Sequence, residues 1–172
     1  MAFLIAAYMT LLTKLLPLSH VSLDLDVTSK KRLFEQIGLL FENKNRVARA
    51  HVFDALFARE KLGSTGLGLG VAIPHGRLKG LRETLLVFIR TKEGVPFESP
   101  DGMPVRLAFA MLVPEHATEQ HLNVLSELAQ LFSDADLRDR LLGECDVSEI
   151  HRLLVEWTPY SSYATAKSTA AL

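Results

Sequence analysis

The spacing of hydrophobic residues along the chain predicts several amphipathic helices, because apolar residues three and four positions apart share one helix face. These predicted helices cover about residues 29–42, 46–61, 118–132, 135–142 and 147–157. Thr28 or Ser29 supplies the N-cap of the first helix. Asp146, with Glu149 three residues later, forms a capping-box pattern for the last.

Extended segments lie between these helices. Val21–Val27 alternates apolar and polar residues, Leu85–Arg90 is almost continuously apolar, and Val105–Val113 is apolar up to Pro114. Alternation is typical of a half-buried strand, and a continuous apolar run is typical of a central one. A further strand is predicted over Leu67–Ile73. We therefore expect an α/β protein, a three-layer sandwich with a mixed β-sheet flanked by helices on both faces.

The glycine-rich segment 63–77 carries the most distinctive chemistry in the chain. It ends in Ile73-Pro74-His75-Gly76, where Pro74 fixes its own φ and favours an extended Ile73. Gly76 leaves one flank of the imidazole open and permits a positive φ. We predict that His75 lies exposed at the mouth of the Leu67–Ile73 strand and is the reactive residue.

Other motifs that use glycines do not fit this segment. A dinucleotide fingerprint has the pattern G-x-G-x-x-G. If Gly66 and Gly68 were its first two glycines, the third would be at position 71, where the chain has Val71. A P-loop needs lysine after its last glycine, whereas Leu69 follows Gly68. A Ser-His-Asp hydrolase would use a G-x-S-x-G elbow, and residues 63–66 have the wrong spacing.

Two stretches, Arg59–Gly66 and Gly70–Gly76, resemble the fructose/mannitol-type enzyme IIA domain of the bacterial phosphotransferase system. The likeness extends from about Leu15 to Trp157 and is greatest to the nitrogen-regulatory branch. It implies the same α/β architecture, with His75 as the phosphoryl acceptor and Nε2 as the atom that carries the phosphoryl group.

Two supporting residues are implied by the same resemblance. His121 lies in the first turn of a predicted helix, where free N–H groups favour an incoming dianion, and is implied to stabilise the phosphoryl group. Without the resemblance it is an ordinary exposed histidine. Arg59 is the last arginine of its predicted helix and is implied to support the site. Its planar guanidinium offers two parallel N–H donors, which match the oxygens of a phosphate group. A helix-terminal charge or a surface ion pair with Glu60 is the alternative.

Three further residues are candidate phosphate contacts. Arg77 directly follows the histidine motif, at a position that is commonly basic in the nitrogen-regulatory branch. The hydroxyls of Ser64 and Thr65 are able to donate to phosphate or to the reactive histidine. Capping of a turn is the alternative role for both hydroxyls.

Composition narrows the functional classes. The chain has 172 residues, a net charge of −1 and no block rich in lysine and arginine, so we expect no nucleic-acid partner. Cys145 is the only cysteine, which excludes an internal disulfide and agrees with a cytoplasmic location. His116 and His121 are five residues apart instead of four, so neither a metal site nor a cofactor is expected.

The two ends of the chain fall outside the predicted domain, which covers residues 15–158. Residues 1–14 are predicted to form a helical extension, with Met9 as an alternative start. Its apolar run is shorter than the roughly 20 residues of a spanning helix and follows no basic residue, so we expect neither membrane insertion nor secretion. Residues 159–172 are predicted to form a disordered tail.

The resemblance implies a phosphoryl carrier that receives phosphate from an HPr-like phosphocarrier protein charged by enzyme I. We expect an apolar docking face formed by Leu67, Leu69, Leu78 and Leu81. We expect the main output to be nitrogen- and potassium-linked regulation of target proteins such as kinase or transporter subunits. We expect no attached IIB or IIC region, and Gly76 stands where fructose-type domains often have alanine; both points favour regulation. The alternative is a sugar-specific IIA component that passes phosphate to a separate IIB.

Overall fold

The computed structural model of the chain describes residues 12–117 and 119–158, without the side chain of Gln120. Residues 12–15 are helical, and the rest of the helix predicted over the first fourteen residues lies outside these ranges. The tail predicted over residues 159–172 and the predicted helix start at Thr118 also lie outside them.

The helices follow the predicted order. After a short 3₁₀ turn at Leu18–His20 they are α1 (Lys30–Asn45), α2 (Arg49–Glu60), α3 (Glu119–Ser133), α4 (Ala135–Gly143) and α5 (Val147–Val155). Ser29, one of the two predicted caps, accepts a hydrogen bond at its hydroxyl from the Arg32 backbone N–H at 3.2 Å. Helix α2 begins three residues later than predicted, because Arg46 adopts a left-handed conformation and ends α1.

The strands are β1 (Val21–Leu25), β2 (Gly66–Gly68), β3 (Val71–Ala72), β4 (His75–Leu78), β5 (Leu85–Val95) and β6 (Val105–Pro114). Within the described ranges they form one mixed sheet of order β1-β5-β6-β3-β2, in which β4 also pairs with β6. Strand β5 runs antiparallel to β6, whereas β3 and β4 lie parallel to β6, one after the other along the same edge.

The sheet separates two hydrophobic cores, which confirms the predicted three-layer sandwich. Phe88 of β5 and Met111 of β6 face the core formed with α3, α4 and α5. Their neighbours Ile89 and Leu112 face the opposite core, formed with α1 and α2. Because successive side chains of a strand point to opposite faces, both central strands are buried on both sides. None of the described helices is long and apolar enough to cross a bilayer.

The single strand predicted over Leu67–Ile73 is wrong. Strands β2 and β3 form an antiparallel hairpin instead. Its turn consists of Gly68, Leu69 and Gly70, with φ values of 85°, 59° and 77°. Residues with a left-handed backbone conformation reverse the chain direction, and glycine adopts this conformation without steric strain. The backbone N–H of Leu69 donates to the Asp101 carboxylate at 2.8 Å, which ties the turn to the loop after β5.

The prediction that His75 lies at the end of a strand is also wrong. His75 is the first residue of β4, which continues alongside β6 after Ile73 and Pro74 interrupt the strand. Pro74 has no N–H for the ladder, but its carbonyl oxygen accepts from the Met111 N–H at 2.9 Å. The histidine therefore sits at a break in the strand that borders β6.

Candidate functional site

A backbone carbonyl orients the imidazole of His75. Nδ1 lies 2.8 Å from the carbonyl oxygen of Ile73. A carbonyl oxygen only accepts hydrogen bonds, so Nδ1 carries the proton in the neutral ring and Nε2 carries the lone pair. His75 is partly buried and pairs in register with Met111, so its side chain faces the α3 side of the sheet.

Gly76 positions the histidine in a different way from the one predicted. It does not adopt a positive φ. A Cβ at Gly76 would lie 2.8 Å from the backbone carbon and oxygen of Ala55, which is closer than real Cβ atoms approach other atoms. The missing side chain therefore allows β4 to pack directly against helix α2, on the face opposite His75.

We expect Gly76→Ala to lower the free energy of unfolding by about 1–3 kcal/mol, because overpacking forces the two backbones apart. Gly143→Ala is the matched control, since a Cβ at Gly143 has nothing within 4 Å. Urea denaturation of both variants measures the difference. Equal midpoints for the two variants would show that β4 does not need this close approach.

Charged residues from two helices surround His75. Burial lowers the pKa of His75 below its ordinary value of 6.5, and the charges of Arg59 and His121 lower it further. The Ile73 carbonyl and the Glu60 carboxylate act in the opposite direction. Arg59 and His121, predicted as support and stabiliser, thus both act electrostatically on the predicted acceptor. At neutral pH the ring is mainly uncharged and therefore nucleophilic.

An NMR titration of the His75 ring protons is expected to give a midpoint below 6.5. In Arg59→Gln the midpoint should rise, because one of the cations that disfavours ring protonation is removed. Arg32→Gln is the control, since Arg32 forms an exposed pair with Glu35 elsewhere on the surface. A wild-type midpoint at or above 6.5 would contradict the electrostatics described here.

The two arginines also hold backbone segments. Arg59 Nη1 donates to the Gly63 carbonyl at 2.9 Å, so the side chain braces the turn after α2 and does not pair with Glu60. Arg77 Nη1 donates to the Glu115 carbonyl at 2.9 Å, and its Nη2 lies 3.4 Å from His121 Nε2. Because arginine only donates, Nε2 of His121 accepts in this contact. Arg77 thus connects β4 to the loop and helix that carry His121.

Both hydroxyls predicted as phosphate contacts donate their protons within the protein. The Ser64 hydroxyl donates to the Phe97 carbonyl at 2.6 Å and accepts from the Gly66 N–H at 3.1 Å. Thr65 is buried, and its hydroxyl donates to the Glu60 carboxylate at 2.6 Å. This geometry favours the turn-forming alternative for both residues over direct contact with phosphate.

Sequence reasoning missed an ion pair behind the site. Glu60 is 9% exposed, and its carboxylate lies 2.9 Å from the Lys30 ammonium. Lys30 is the first residue of α1 and Glu60 the last residue of α2, so each charge is opposed by the dipole of its own helix. A charge that is unfavourable at its own helix end is a sequence signal that the residue has a partner elsewhere in the fold. No group of three His, Cys, Asp or Glu able to hold a metal occurs among the described residues.

Residues 14–157 match the family described as phosphoenolpyruvate-dependent sugar phosphotransferase system, EIIA 2. The chain belongs to this family. It is therefore a phosphotransferase component, of a class that passes on phosphate received from phosphocarriers. The resemblance inferred from the segment around His75 is confirmed.

Several similar proteins are named nitrogen regulatory proteins, and a fructose-specific EIIA component of Haloferax volcanii is also similar, at 33% identity over 141 residues that cover 81% of this chain and 92% of that protein. The nitrogen regulatory protein of Pseudomonas aeruginosa is 43% identical over 129 residues, which cover 74% of this chain and 84% of that protein. Its counterpart in Bradyrhizobium diazoefficiens is 38% identical over 130 residues, covering 76% of this chain and 85% of that protein. The crystal structure of nitrogen regulatory protein IIA-Ntr from Neisseria meningitidis has a TM-score of 0.80 at 54% identity, covering 84% of this chain and 99% of that one.

Proposed function

We propose that this enzyme IIA protein accepts a phosphoryl group on Nε2 of His75 and acts mainly as a nitrogen- and potassium-linked regulator. The observation that carries the proposal is the hydrogen bond between Nδ1 and the Ile73 carbonyl, which leaves the lone pair on Nε2. The nearby charges of Arg59 and His121 support it. The proposed donor is an HPr-like phosphocarrier, and the proposed targets are kinase or transporter subunits.

The transfer exchanges one phosphorus–nitrogen bond for another. The Nε2 lone pair attacks the phosphorus of the donor phosphohistidine in line, and the donor nitrogen leaves with the electron pair of the broken bond. His75 keeps its proton on Nδ1, so positive charge develops on its ring. The Ile73 carbonyl dipole stabilises that charge, while the Arg59 guanidinium and His121 stabilise the phosphoryl oxygens.

Partner proteins are proposed to dock on the glycine-rich hairpin and the turn before it. Leu62, Leu67 and Leu69 are 84%, 45% and 53% exposed there, which is unusual for leucine. Leu78 and Leu81, which the sequence suggested for this face, are partly buried against the α1–α2 core. The proposed docking face therefore keeps Leu67 and Leu69, adds Leu62 and leaves out Leu78 and Leu81. A phosphate dianion near it changes the fit of a partner by repulsion or by pairing with arginine.

The regulatory role rests on the relatives, since the matched Pseudomonas and Bradyrhizobium proteins are both named nitrogen regulatory proteins. A phosphoryl-transfer assay tests the proposal. The protein is incubated with labelled phosphoenolpyruvate, enzyme I and the phosphocarrier, and the label is followed by gel and by mass spectrometry. We expect label on this chain that depends on the phosphocarrier. Absence of label under conditions that charge the phosphocarrier would contradict the proposal.

A second stage of the assay separates regulation from sugar transport. The labelled protein is mixed with fructose- and mannitol-type IIB domains. Retention of the label is the expected result for a regulator. Rapid transfer to one of these IIB domains would favour the sugar-specific alternative.

A further inference from the structure

The buried Glu60 carboxylate is the start of a hydrogen-bonded connection that ends at the His75 ring. Its Oε1 accepts from the Lys30 ammonium at 2.9 Å and from the Thr65 backbone N–H at 3.0 Å. Its Oε2 accepts from the Thr65 hydroxyl at 2.6 Å. Both donors of Thr65 are therefore fixed by one carboxylate. Charge-assisted hydrogen bonds of this kind are short and strong compared with neutral ones.

Thr65 is connected to the histidine through the backbone of the hairpin. The Thr65 carbonyl accepts from the Ile73 N–H at 3.1 Å. The carbonyl of the same Ile73 accepts from Nδ1 of His75 at 2.8 Å. Thr65 and Ile73 are 5% and 4% exposed, so water has little access to compete for these bonds. A displacement of Thr65 is thus passed to the carbonyl that determines which ring nitrogen holds the proton.

Lys30 has a defined place in the same network. Its ammonium lies 4.7 Å from the centroid of the Phe97 ring as well as beside Glu60, and its side chain is 18% exposed. A buried carboxylate without a partner would be strongly disfavoured, and the Lys30 ammonium supplies a partner of opposite charge at 2.9 Å. The ion pair therefore maintains the acceptor that fixes Thr65.

We infer that Glu60, held by Lys30, is a positioning residue for phosphoryl transfer: through Thr65 and Ile73 it holds His75 in the tautomer that presents Nε2. This inference rests on the proposed function of His75. Glu60 contacts neither His75 nor the phosphoryl group in this scheme. Its positioning effect is transmitted by the hydrogen bonds between them and is separate from the effect of its charge on the pKa of the ring.

The direct test reads the tautomer of the free protein. At about pH 8, where the ring is neutral, ¹⁵N NMR distinguishes Nδ1–H from Nε2–H. We expect wild-type His75 to be mainly Nδ1–H, and Glu60→Gln to populate the Nε2–H form. Glu60→Gln should also accept phosphate about tenfold more slowly, since small misplacements at a reacting centre have effects of this size or larger. Glu35→Gln is the matched control, because Glu35 forms an exposed ion pair with Arg32.

Two substitutions of Thr65 separate positioning from direct contact with phosphate. Thr65→Val removes the hydroxyl at nearly constant shape, and Thr65→Ser keeps it. We expect Thr65→Val to resemble Glu60→Gln in both tautomer and rate, and Thr65→Ser to resemble the wild type. If Thr65→Val slowed transfer but left the tautomer unchanged, the hydroxyl would act on phosphate itself and the inference would be overturned.

Unchanged tautomer and rate in both Glu60→Gln and Thr65→Val would also overturn the inference while the proposed function stood. If Glu60→Gln failed to fold, the comparison of Thr65→Val with Thr65→Ser would test the inference. If even the wild-type protein accepted no phosphate, the proposed function would fail. The tautomer spectra would then still show whether the Glu60 connection orients the ring.

Discussion

Replacing His75 by alanine is expected to abolish incorporation of labelled phosphate into this protein. The neutral imidazole, with its proton held on Nδ1 by the Ile73 carbonyl, is the proposed nucleophile of the reaction. No other histidine should take over, because transfer requires alignment with the donor as well as an available lone pair. The measurement is the label on the purified variant after incubation with phosphoenolpyruvate, enzyme I and phosphocarrier.

His116→Ala is the matched control for this experiment. The His116 side chain is 95% exposed in the loop after β6, and no role is proposed for it. We expect it to accept phosphate at the wild-type rate. If His75→Ala remained folded by circular dichroism and still took up label in the same proportion as the control, the assignment of the acceptor would be wrong.

The second large effect is expected for Arg59. Arg59→Gln should lower the second-order rate of phosphoryl acceptance by about 10²-fold, the scale seen when one preorganised donor to a developing anion is removed. The positive charge of Arg59 lowers the pKa of the His75 ring, and the same charge is proposed to stabilise the phosphoryl oxygens. Rapid-quench measurement of the rate at several donor concentrations provides the comparison.

Arg59→Lys separates charge from geometry at the same position. Lysine keeps the positive charge but not the planar fork, and we expect an intermediate rate. Arg59 also donates to the Gly63 carbonyl, so thermal melting of each variant must accompany the kinetics. A folded Arg59→Gln variant with a rate within about twofold of wild type would mean that the arginine only braces the turn.

Much of the fold follows from periodicity in the sequence. Helices with a regular apolar stripe, such as α1 and α3, and the apolar strand β6 lie close to their predicted bounds, whereas β5 starts as predicted but continues beyond Arg90 to Val95. In these elements local propensity and tertiary burial favour the same conformation. The boundary between α1 and α2 was less predictable, because it depends on the left-handed conformation of Arg46.

The glycine-rich segment shows where pattern reasoning failed. Leu67 to Ile73 reads as an apolar strand, yet the chain reverses at Leu69, a residue without any special tendency to adopt a positive φ. The Asp101 carboxylate, 32 residues away, accepts from the Leu69 N–H and stabilises the turn. A tertiary contact therefore stabilises this local structure. The spacing of apolar residues does not indicate that contact.

The site was predictable where its residues carry a local signature. His75, Arg59 and His121 were identified from the motif and its resemblance, and in the structure Arg59 and His121 both lower the pKa of His75. The contact of Lys30 with Glu60 joins two helix ends that are 30 residues apart, so it was not visible in any sequence window. The only sequence signal for this ion pair was that each charge is unfavourable at the end of its own helix.

Phosphorylation is expected to alter the surface through charge alone. In the proposed reaction the mainly neutral His75 ring would become a phosphohistidine whose phosphoryl group is a dianion, on a protein that exposes Leu67 and Leu69. A partner that binds the apolar surface of the uncharged form would then meet a strongly hydrated group. This provides a physical basis for two forms of the protein with different partners.

The most direct test of the account is to locate the phosphorus atom in the phosphorylated protein. Two-dimensional NMR of uniformly ¹⁵N-labelled protein, with phosphorus coupling resolved, identifies both the histidine and the ring nitrogen that are modified. The expected result is a single phosphohistidine at position 75 with phosphorus on Nε2. Phosphorus on Nδ1, or on a different histidine, would contradict it.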